Sequence, residues 1–408
     1  MKKALLLAAC GLMIGSAAFA QENKLVVKPS GRILLDGAAM NSSNDAVNDK
    51  MSGGFALPDV RIGMKASYGK WEAKADIGYA RQSLSLKDVF IQYNIDKNNL
   101  IRGGYFVHQF GYQSATSSSF KVAMEEPETH SLLGSGGRLV GLMFQHDDDA
   151  FHGTLSLYTD NQSMKRTTEN NGYQGTGVMT RLVWRPLTER GNIFQIGIGG
   201  AYDHKNKKSD NLEWSSNLPT RVSRVAAIGA SGKALGADYS IKFTPEVVLA
   251  KKWFGLEAQY IFMTVHRDKG DDVNKAKAEA YKLATNEDLK LKNYKAWGAY
   301  ANARFLLNSE YSYVRGDAGI ATPDPKSWEI VASYNYSDMN SGDRDEYAGL
   351  NYYNGGKLSD YSLTMNYYIN KYMIWRVSGH YVHAGESEYT GFGKNDYKVL
   401  ETRLQIKF

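Results

Sequence analysis

The last twelve residues, Tyr397 to Phe408, alternate with a period of two and stop on an aromatic side chain. Leu400, Thr402, Leu404, Ile406 and Phe408 share one parity, while Glu401, Arg403, Gln405 and Lys407 share the other. Successive residues of a β-strand point to opposite faces, so this segment presents one apolar face and one charged face. Such a strand is at home only between an apolar medium and water.

That division of faces resembles the closing strand of a bacterial outer-membrane β-barrel, which turns its apolar side to lipid and its charged side to a wet lumen. The terminal aromatic of such strands is the signal read by the barrel assembly machinery, and Phe408 is its counterpart here. The other end of the chain agrees. Met1-Lys2-Lys3 is a positive n-region, Ala4 to Ala9 and Leu12 to Ile14 are apolar, and Ala18-Phe19-Ala20 fits a cleavage site. Residues 1–20 are therefore expected to be a signal peptide and 21–408 the barrel. Leu7-Ala8-Ala9-Cys10-Gly11 also fits a lipobox, although the apolar stretch before Cys10 is short for one. Cys10 is the only cysteine. A chain matured at residue 21 has none, which excludes disulfides and cysteine-ligated zinc.

After the signal no run of about eighteen apolar residues occurs, so no transmembrane helix is expected. Tyr and Gly are heavily used and Pro is scarce. The mixture suits barrel walls, whose alternation hides their hydrophobicity from a sliding window. Loss of Lys2 and Lys3 leaves a mildly basic chain, and no motif supports nucleic acid as a partner.

Apolar and polar residues alternate in segments of roughly ten, the length that crosses a membrane at a tilt. The candidates are 31–40, 58–68, 70–80, 85–95, 100–110, 137–147, 151–160, 173–186, 192–203, 241–252, 254–267, 295–307, 328–338, 358–370, 373–384 and 397–408. That is about 16 strands, an even number, as an antiparallel barrel with both termini on one side requires. Short links at Gly69, Asp96 to Asn99, Asp147 to Ala150, Pro186 to Gly191, Trp253 and Asn370 to Tyr372 fall on one side, the periplasmic one. Long links, among them 41–57, 111–136 and 204–240, fall on the other. Two connections depart from this pattern. The 81–84 link is short for an outer loop, and 308–327, carrying Pro323 and Pro325, is long for a periplasmic turn.

A more specific likeness lies in residues 57–141. Asp59-Val60-Arg61-Ile62-Gly63-Met64-Lys65, Trp71-Glu72-Ala73-Lys74-Ala75-Asp76 and Leu86-Lys87-Asp88-Val89-Phe90-Ile91-Gln92-Tyr93 come first. Gln109-Phe110-Gly111, Met124-Glu125-Glu126 and Gly137-Arg138-Leu139-Val140-Gly141 follow in order. Trp328-Glu329, Gly356-Lys357-Leu358-Ser359-Asp360-Tyr361 and Asn366-Tyr367-Tyr368-Ile369-Asn370 continue the series in the tail. In these runs the chain resembles the phosphate-selective porin O and P family. The resemblance implies a sixteen-stranded, trimeric outer-membrane porin whose loop after the fifth strand folds inward to narrow the pore. Here that loop is 111–136, with Ser and Thr from Ser114 to Ser119, then Lys121, Glu125, Glu126, Glu128 and His130. A loop inside a barrel is expected to be polar, since it meets water and lumen side chains on all sides.

The family's phosphate-binding members owe their selectivity to wall arginines and to lysines clustered on the inward loop. By strand parity Arg61, Lys65, Lys74, Arg102, Arg181, Arg185, Arg304, Arg376, Arg403 and Lys407 face the lumen, and Arg138 stands at the start of a strand beside the loop. Glu72, Asp76, Asp88, Glu257 and Glu401 share that parity, so many of these charges can pair across strands. The loop departs from the family pattern: Lys121 stands alone among carboxylates. A dehydrated phosphate needs several converging donors, and one lysine does not supply them.

Six tryptophans, Trp71, Trp184, Trp253, Trp297, Trp328 and Trp375, sit near strand ends and suit interfacial girdles. His146 with Asp147-Asp148-Asp149 could ligate a cation, but the run spans a tight turn where aspartates are expected anyway. Asp271 to Leu291 reads as a short helix in an outer loop. No G-x-S-x-G, no H-E-x-x-H and no phosphate-binding glycine loop occurs, and His380 and His383 have opposite parity. No catalytic residue, metal or cofactor is therefore expected. The sequence points to an outer-membrane porin, a passive diffusion channel for small hydrophilic solutes with a mild anion preference, sized by the 111–136 loop. Two alternatives are an oxyanion-specific porin, which needs a converging Arg/Lys cluster in the lumen, and a barrel enzyme assembled from outer loops.

Overall fold

The structure, a computed structural model, describes residues 24–408 except 52, 81, 118, 120, 135–136, 161–173, 206–211 and 343–350. The expected signal peptide and Cys10 lie outside the described residues.

Inside a bilayer every backbone N–H and C=O must find a partner within the protein, and a strand can do this only in a sheet without edges. The strands in chain order are β1 (Val26–Ser42), β2 (Gly54–Tyr68), β3 (Trp71–Ala80), β4 (Ser83–Asn94), β5 (Asn99–Val107), β6 (Arg138–Asp147), β7 (Phe151–Thr159), β8 (Thr176–Glu189), β9 (Asn192–His204) and β10 (Glu213–Asn217). They continue as β11 (Ala226–Ser231), β12 (Ala237–Lys251), β13 (Phe254–Arg267), β14 (Tyr294–Leu307), β15 (Tyr313–Val314), β16 (Gly319–Ile320), β17 (Trp328–Ser341), β18 (Tyr353–Tyr368), β19 (Met373–Ala384) and β20 (Asn395–Lys407). All except β10–β11 and β15–β16, which form separate hairpins, join in one closed antiparallel barrel of sixteen strands. Each of the sixteen expected segments coincides with one wall strand. The first and last strands close the seam from Arg32 opposite Lys407 to Ser42 opposite Tyr397.

The alternation read in the sequence is the wall's inside and outside. Ile101, Leu142, Leu155, Leu182, Ile198, Leu363 and Leu400 are exposed on the outer surface, whereas Gln145, Arg181, Gln195, Glu257 and Glu401 are buried on the inner one. Aromatic residues mark both ends of the strands. Trp71 packs on Tyr93 at 4.8 Å and Trp328 on Tyr367 at 4.3 Å beside short turns, while Trp297 packs on Tyr336 at 5.1 Å towards the long loops. These are the positions where amphipathic rings meet the lipid headgroups. The outer-loop helix is present over Asp272–Thr285, capped by Asp271, whose side chain accepts from the Val273 N–H. His146, Asp147 and Asp148 serve the β6–β7 turn, as expected: Asp148 accepts from the N–H groups of Ala150 and Phe151.

Two expectations need correction. The 308–327 connection is long because it does not stay at the periplasmic rim: it folds back into the lumen as the β15–β16 hairpin, burying Tyr311, Ala318 and Ile320. The lumen is also not uniformly wet. Trp214, Leu218, Val225 and Ile228 of the loop joining β9 to β12 pack with Leu132 and Leu133 against inward-facing Ile261, Met263, Val265, Ala296, Met339, Leu358 and Val382. The inward loop is therefore apolar at both ends, where it meets side chains and not water. Burial of that apolar surface supplies the free energy that keeps the loops in the barrel.

At the seam, Gly31 N–H donates to the Phe408 carbonyl at 2.7 Å and Phe408 N–H to the Gly31 carbonyl at 3.1 Å. Deleting Phe408 removes both bonds, together worth about 1–3 kcal/mol, as well as the terminal aromatic. The expected outcome is unfolded protein in the periplasm and a several-fold loss of heat-modifiable barrel from the outer membrane, read on unboiled gels. Normal yield would assign Phe408 no role in closure.

Candidate functional site

The β5–β6 connection turns into the lumen at His108 because the wall makes room for its root. A Cβ on Gly199 of β9 would lie 1.8 Å from the Phe110 carbonyl oxygen, so only glycine allows this approach. Ser114 then accepts from the N–H groups of Phe110 and Gly111 at 2.8 and 3.0 Å, closing a tight turn. The loop next crosses to the far wall. Asn366 donates to the Val122 carbonyl at 2.9 Å, Arg376 to Ala123 at 2.9 Å and Arg403 to Met124 at 2.6 Å. Gln405 donates to the Ser119 carbonyl at 3.0 Å. On the way back Thr129 Oγ1 donates to the Tyr336 carbonyl at 2.8 Å. The loop thus lies along β13, β14 and β17–β20 and leaves the inner face of β2–β5 uncovered.

These contacts sort the expected pore-lining residues. Arg376 and Arg403 hold the loop backbone, and Arg403 also pairs with Asp36 at 2.7 Å and Glu125 at 2.5 Å. Arg304 lies between Glu329 at 2.8 Å and Glu257 at 3.3 Å. Arg181 pairs with Glu246 at 2.6 Å and donates to the carbonyls of Asp317 and Ala318, while Arg185 pairs with Asp147 and donates to the Arg315 carbonyl. Side chains of all five are 4% exposed or less, which makes them clamps on the loop and on the β15–β16 hairpin. Lys121, the lone loop lysine, is spent on Glu126 and on the Gln113 carbonyl. The hairpin and the loop also touch: a Cβ on Gly319 would lie 2.4 Å from the Tyr112 ring.

Water-accessible charge lies on the uncovered wall. Lys65 pairs with Glu72 at 2.6 Å, and Lys74 with Asp76 and Asp88 at 2.8 and 3.0 Å. Arg102 donates to Gln92 through two nitrogens and stacks over Phe90, 4.4 Å from the ring centre. Arg61 shares the Asp59 carboxylate with Arg32, and Arg138 reaches Asp88 at 2.7 Å. Lys87 stands in the electrostatic field of Asp59 first and then of Arg61, Arg138 and Arg221, and Arg32 in that of Arg61, Asp59 and Arg221. Arg221 comes from the β9–β12 loop and pairs with Glu125 at 2.7 Å. The side chains of Arg61, Arg138 and Arg221 are 14%, 21% and 28% exposed, against almost nothing for the clamping arginines.

Parity reasoning missed three members of this cluster. Arg32 shares its inward face with Asp36 and was legible from alternation within 31–40. Lys87 was not, because the β3–β4 register shifts between Ala75 and Ile77, and the irregularity lets adjacent Lys87 and Asp88 both serve the lumen. Arg221 sits on a loop, where no period applies.

On the inward loop the carboxylates behave differently from one another. Burial works against ionising Glu126, but Lys121 and His130 hold its carboxyl down to about 2. Burial opposes Glu125 likewise, and Arg221 and Arg403 keep it below the usual carboxylate range. His130 is pushed down to about 4 by burial and is neutral near pH 7. Glu128 has no cation beside it and stands well above the usual range, through burial first and Asp360 second.

Among solved structures, the chain is similar to the outer membrane channel DcaP of Acinetobacter baumannii, at 12% identity and a TM-score of 0.53 over 96% of this chain and 100% of that one. It is also similar to Salmonella typhi OmpF in complex with daunomycin, at 12% identity and a TM-score of 0.51 over 94% of this chain and 97% of that one. OmpT of Vibrio cholerae matches at 8% identity and 0.54 over 95% of this chain and 100% of that one. At such identities these likenesses speak for the barrel fold. No curated protein matches the chain. The family model of the phosphate-selective porin O and P matches residues 27–408, nearly the whole chain, which therefore belongs to this family of bacterial outer-membrane porins.

Proposed function

We propose that this porin is a passive diffusion channel for small hydrophilic solutes, prefers anions, and carries out no catalysis. The observation that carries the anion preference is the convergence of Arg61, Lys87, Arg138 and Arg221 on one side of the inward loop, with Arg32 buried behind Asp59 beside them. Pairing among the described residues offsets only part of this charge: Arg221 and Arg403 are matched by Glu125 and Asp36 and Arg138 by Asp88, while Arg61 and Arg32 bind the same carboxylate, Asp59, which is also the one carboxylate whose field reaches Lys87 strongly. In a narrow passage with low-dielectric walls such an excess raises the local anion concentration.

The same convergence favours a second reading, an oxyanion-specific porin. Guanidinium groups arriving from β1, β2, β6 and the β9–β12 loop can replace the hydration shell of a small oxyanion, which Lys121 alone could not. Saturation of chloride current by millimolar inorganic phosphate would favour this reading over simple diffusion. We further propose a homotrimer in the lipid bilayer, each barrel being inserted by the barrel assembly machinery through its C-terminal strand.

Two outcomes follow. Changing Arg61, Lys87 and Arg138 together to Glu alters the local charge by about six units and should turn the zero-current potential in a salt gradient from anion-directed to cation-directed. A wild-type protein without anion preference would leave a size filter whose wall charges are inert. Replacing residues 312–320 by a short Gly-Ser turn should raise unitary conductance in planar bilayers while heat-modifiable mobility persists, since wall hydrogen bonds run strand to strand. Unchanged conductance would place the narrowest point at the inward loop alone.

A further inference from the structure

Behind the inward loop lies a cavity of about 20 Å³, lined among others by Glu128, Ser333, Asn335, Asp360 and His380. Its volume suits one water molecule. Glu128 is 2% exposed and its Oε1 has no hydrogen-bond partner, and the same is true of Ser333 Oγ and Asn335 Nδ2. Asp360 is occupied from its other side by His380, whose Nδ1 lies 3.0 Å from Oδ2. The His380 Nε2 is in turn 2.8 Å from Ser378 Oγ, so this imidazole has no nitrogen left for Glu128.

Glu128 opens the short helix Glu128–Leu133, which the wall holds next door. Thr129 N–H donates to Asn335 Oδ1 at 3.1 Å, and Leu132 and Leu133 enter the apolar cluster. Among the described residues, most charges around Glu128 are engaged, and Glu401 of β20, whose carboxylate has no hydrogen-bond partner, lies beyond them in the field of His380 and Glu125. Asp360 of β18 faces it, with His380 of β19 behind; Glu125 of its own loop is tied to Arg221 and Arg403; Glu126 is tied to Lys121 and lies 3.7 Å from His130. The cavity lining from β14 and β17 adds only neutral side chains, Tyr300, Asn302, Ser333, Tyr334 and Asn335. An ionised Glu128 would be a second, uncompensated carboxylate in a dry space, and a buried group in that position takes up a proton instead.

We propose that Glu128 is a proton-operated latch of the constriction loop: protonated, it lies in its cavity against Asp360 and keeps the Glu128–Leu133 helix on the wall; ionised, it drives the helix away. The loop then changes the opening of the pore it bounds, so the latch rests on this loop being the constriction. The sign follows from the direction of titration. The carboxyl, ordinarily near 4.5, is raised in the folded loop. Seating is at full strength below the ordinary value and is lost as pH rises through the folded one. His130 acts at the opposite end, since its buried imidazole charges only on acidification towards 4.

The test is single-channel recording of the full-length protein from pH 6 to pH 10 at fixed ionic strength, with Glu128→Gln and Asp360→Asn. The wild type should lose its low-pH conductance level on the alkaline side, in favour of a larger or noisier one. Glu128→Gln, isosteric and unable to ionise, should keep the low-pH level throughout. Asp360→Asn, which removes the facing charge, should move the transition to lower pH and keeps the test open should Glu128→Gln fold poorly. A flat wild-type profile overturns the latch, as does a Glu128→Gln profile that still follows the wild type. Calcium chloride that abolishes the wild-type transition at constant ionic strength would mean a cation fills the cavity and would also overturn it. Reversal potentials from the same recordings report separately on anion preference, so failure of that reading is told apart from failure of the latch.

Discussion

Closure of the backbone hydrogen-bond network is the constraint on which the molecule rests. A strand in lipid cannot leave N–H or C=O groups unpaired, so β1 must meet β20, and it does so along the whole length from Arg32 to Ser42. Once the wall is closed by main-chain bonds alone, its side chains are released from structural duty on the outside, where any apolar residue serves. Inside, they are free to specialise. The inner surface can then carry buried charges and orphaned polar groups at a density that a soluble core would not tolerate, because wall stability does not depend on them.

The lumen uses that freedom unevenly. Over β12–β14 and β17–β20 the inward residues form a dry core with the inserted loops, built of Ile261, Met263, Val265, Met339 and Leu358 together with clamping arginines. Arg376 and Arg403 place guanidinium groups on loop carbonyls, Arg403 on Asp36 and Glu125 as well, and Arg304 is held between Glu257 and Glu329. Removing one partner of such a buried pair costs about 3–5 kcal/mol, which fixes the 122–125 stretch of the loop to the wall. Over β2–β5 no hydrogen bond to the inward loop is made among the described residues, and Arg61, Lys65 and Lys74 keep part of their side chains exposed. The same residue type therefore does two jobs, and burial, not identity, separates them: Arg181 is a bolt, whereas Arg61 is a pore charge.

This division explains what the sequence could and could not convey. Alternation of period two revealed all sixteen wall strands, since it follows directly from one face in lipid and the other in water. It also revealed which arginines point inward. It could not tell Arg181 from Arg61, because that depends on where the loops lie, and loop paths follow from long-range contacts such as Gly199 with Phe110 or Asn366 with Val122. The hairpin inside 308–327 showed only as an unexplained length. The apolar inner faces of β13 and β14 mimic lipid-facing positions by composition, and only the structure shows Trp214 and Leu132 as their partners.

Lys121 shows how a correct local observation can misdirect when the site is assembled from elsewhere. Alone among Glu125, Glu126 and Glu128, it argues against an anion cage on the loop, and its engagement with Glu126 and the Gln113 carbonyl agrees. The loop's acids nevertheless do not repel anions, for each ionised one is assigned: Glu126 to Lys121, and Glu125 to Arg221 and Arg403. Glu128, the remaining one, is held above the usual carboxylate range by burial and by Asp360. Two of the loop's three carboxylates are thus matched by cations within ion-pair distance, and in the proposed function the cations opposite the loop set the field in the passage. The proposed anion preference therefore rests on the wall cations opposite the loop, where Arg32 and Arg61 bind one carboxylate, Asp59, which is also the negative charge nearest in effect to Lys87.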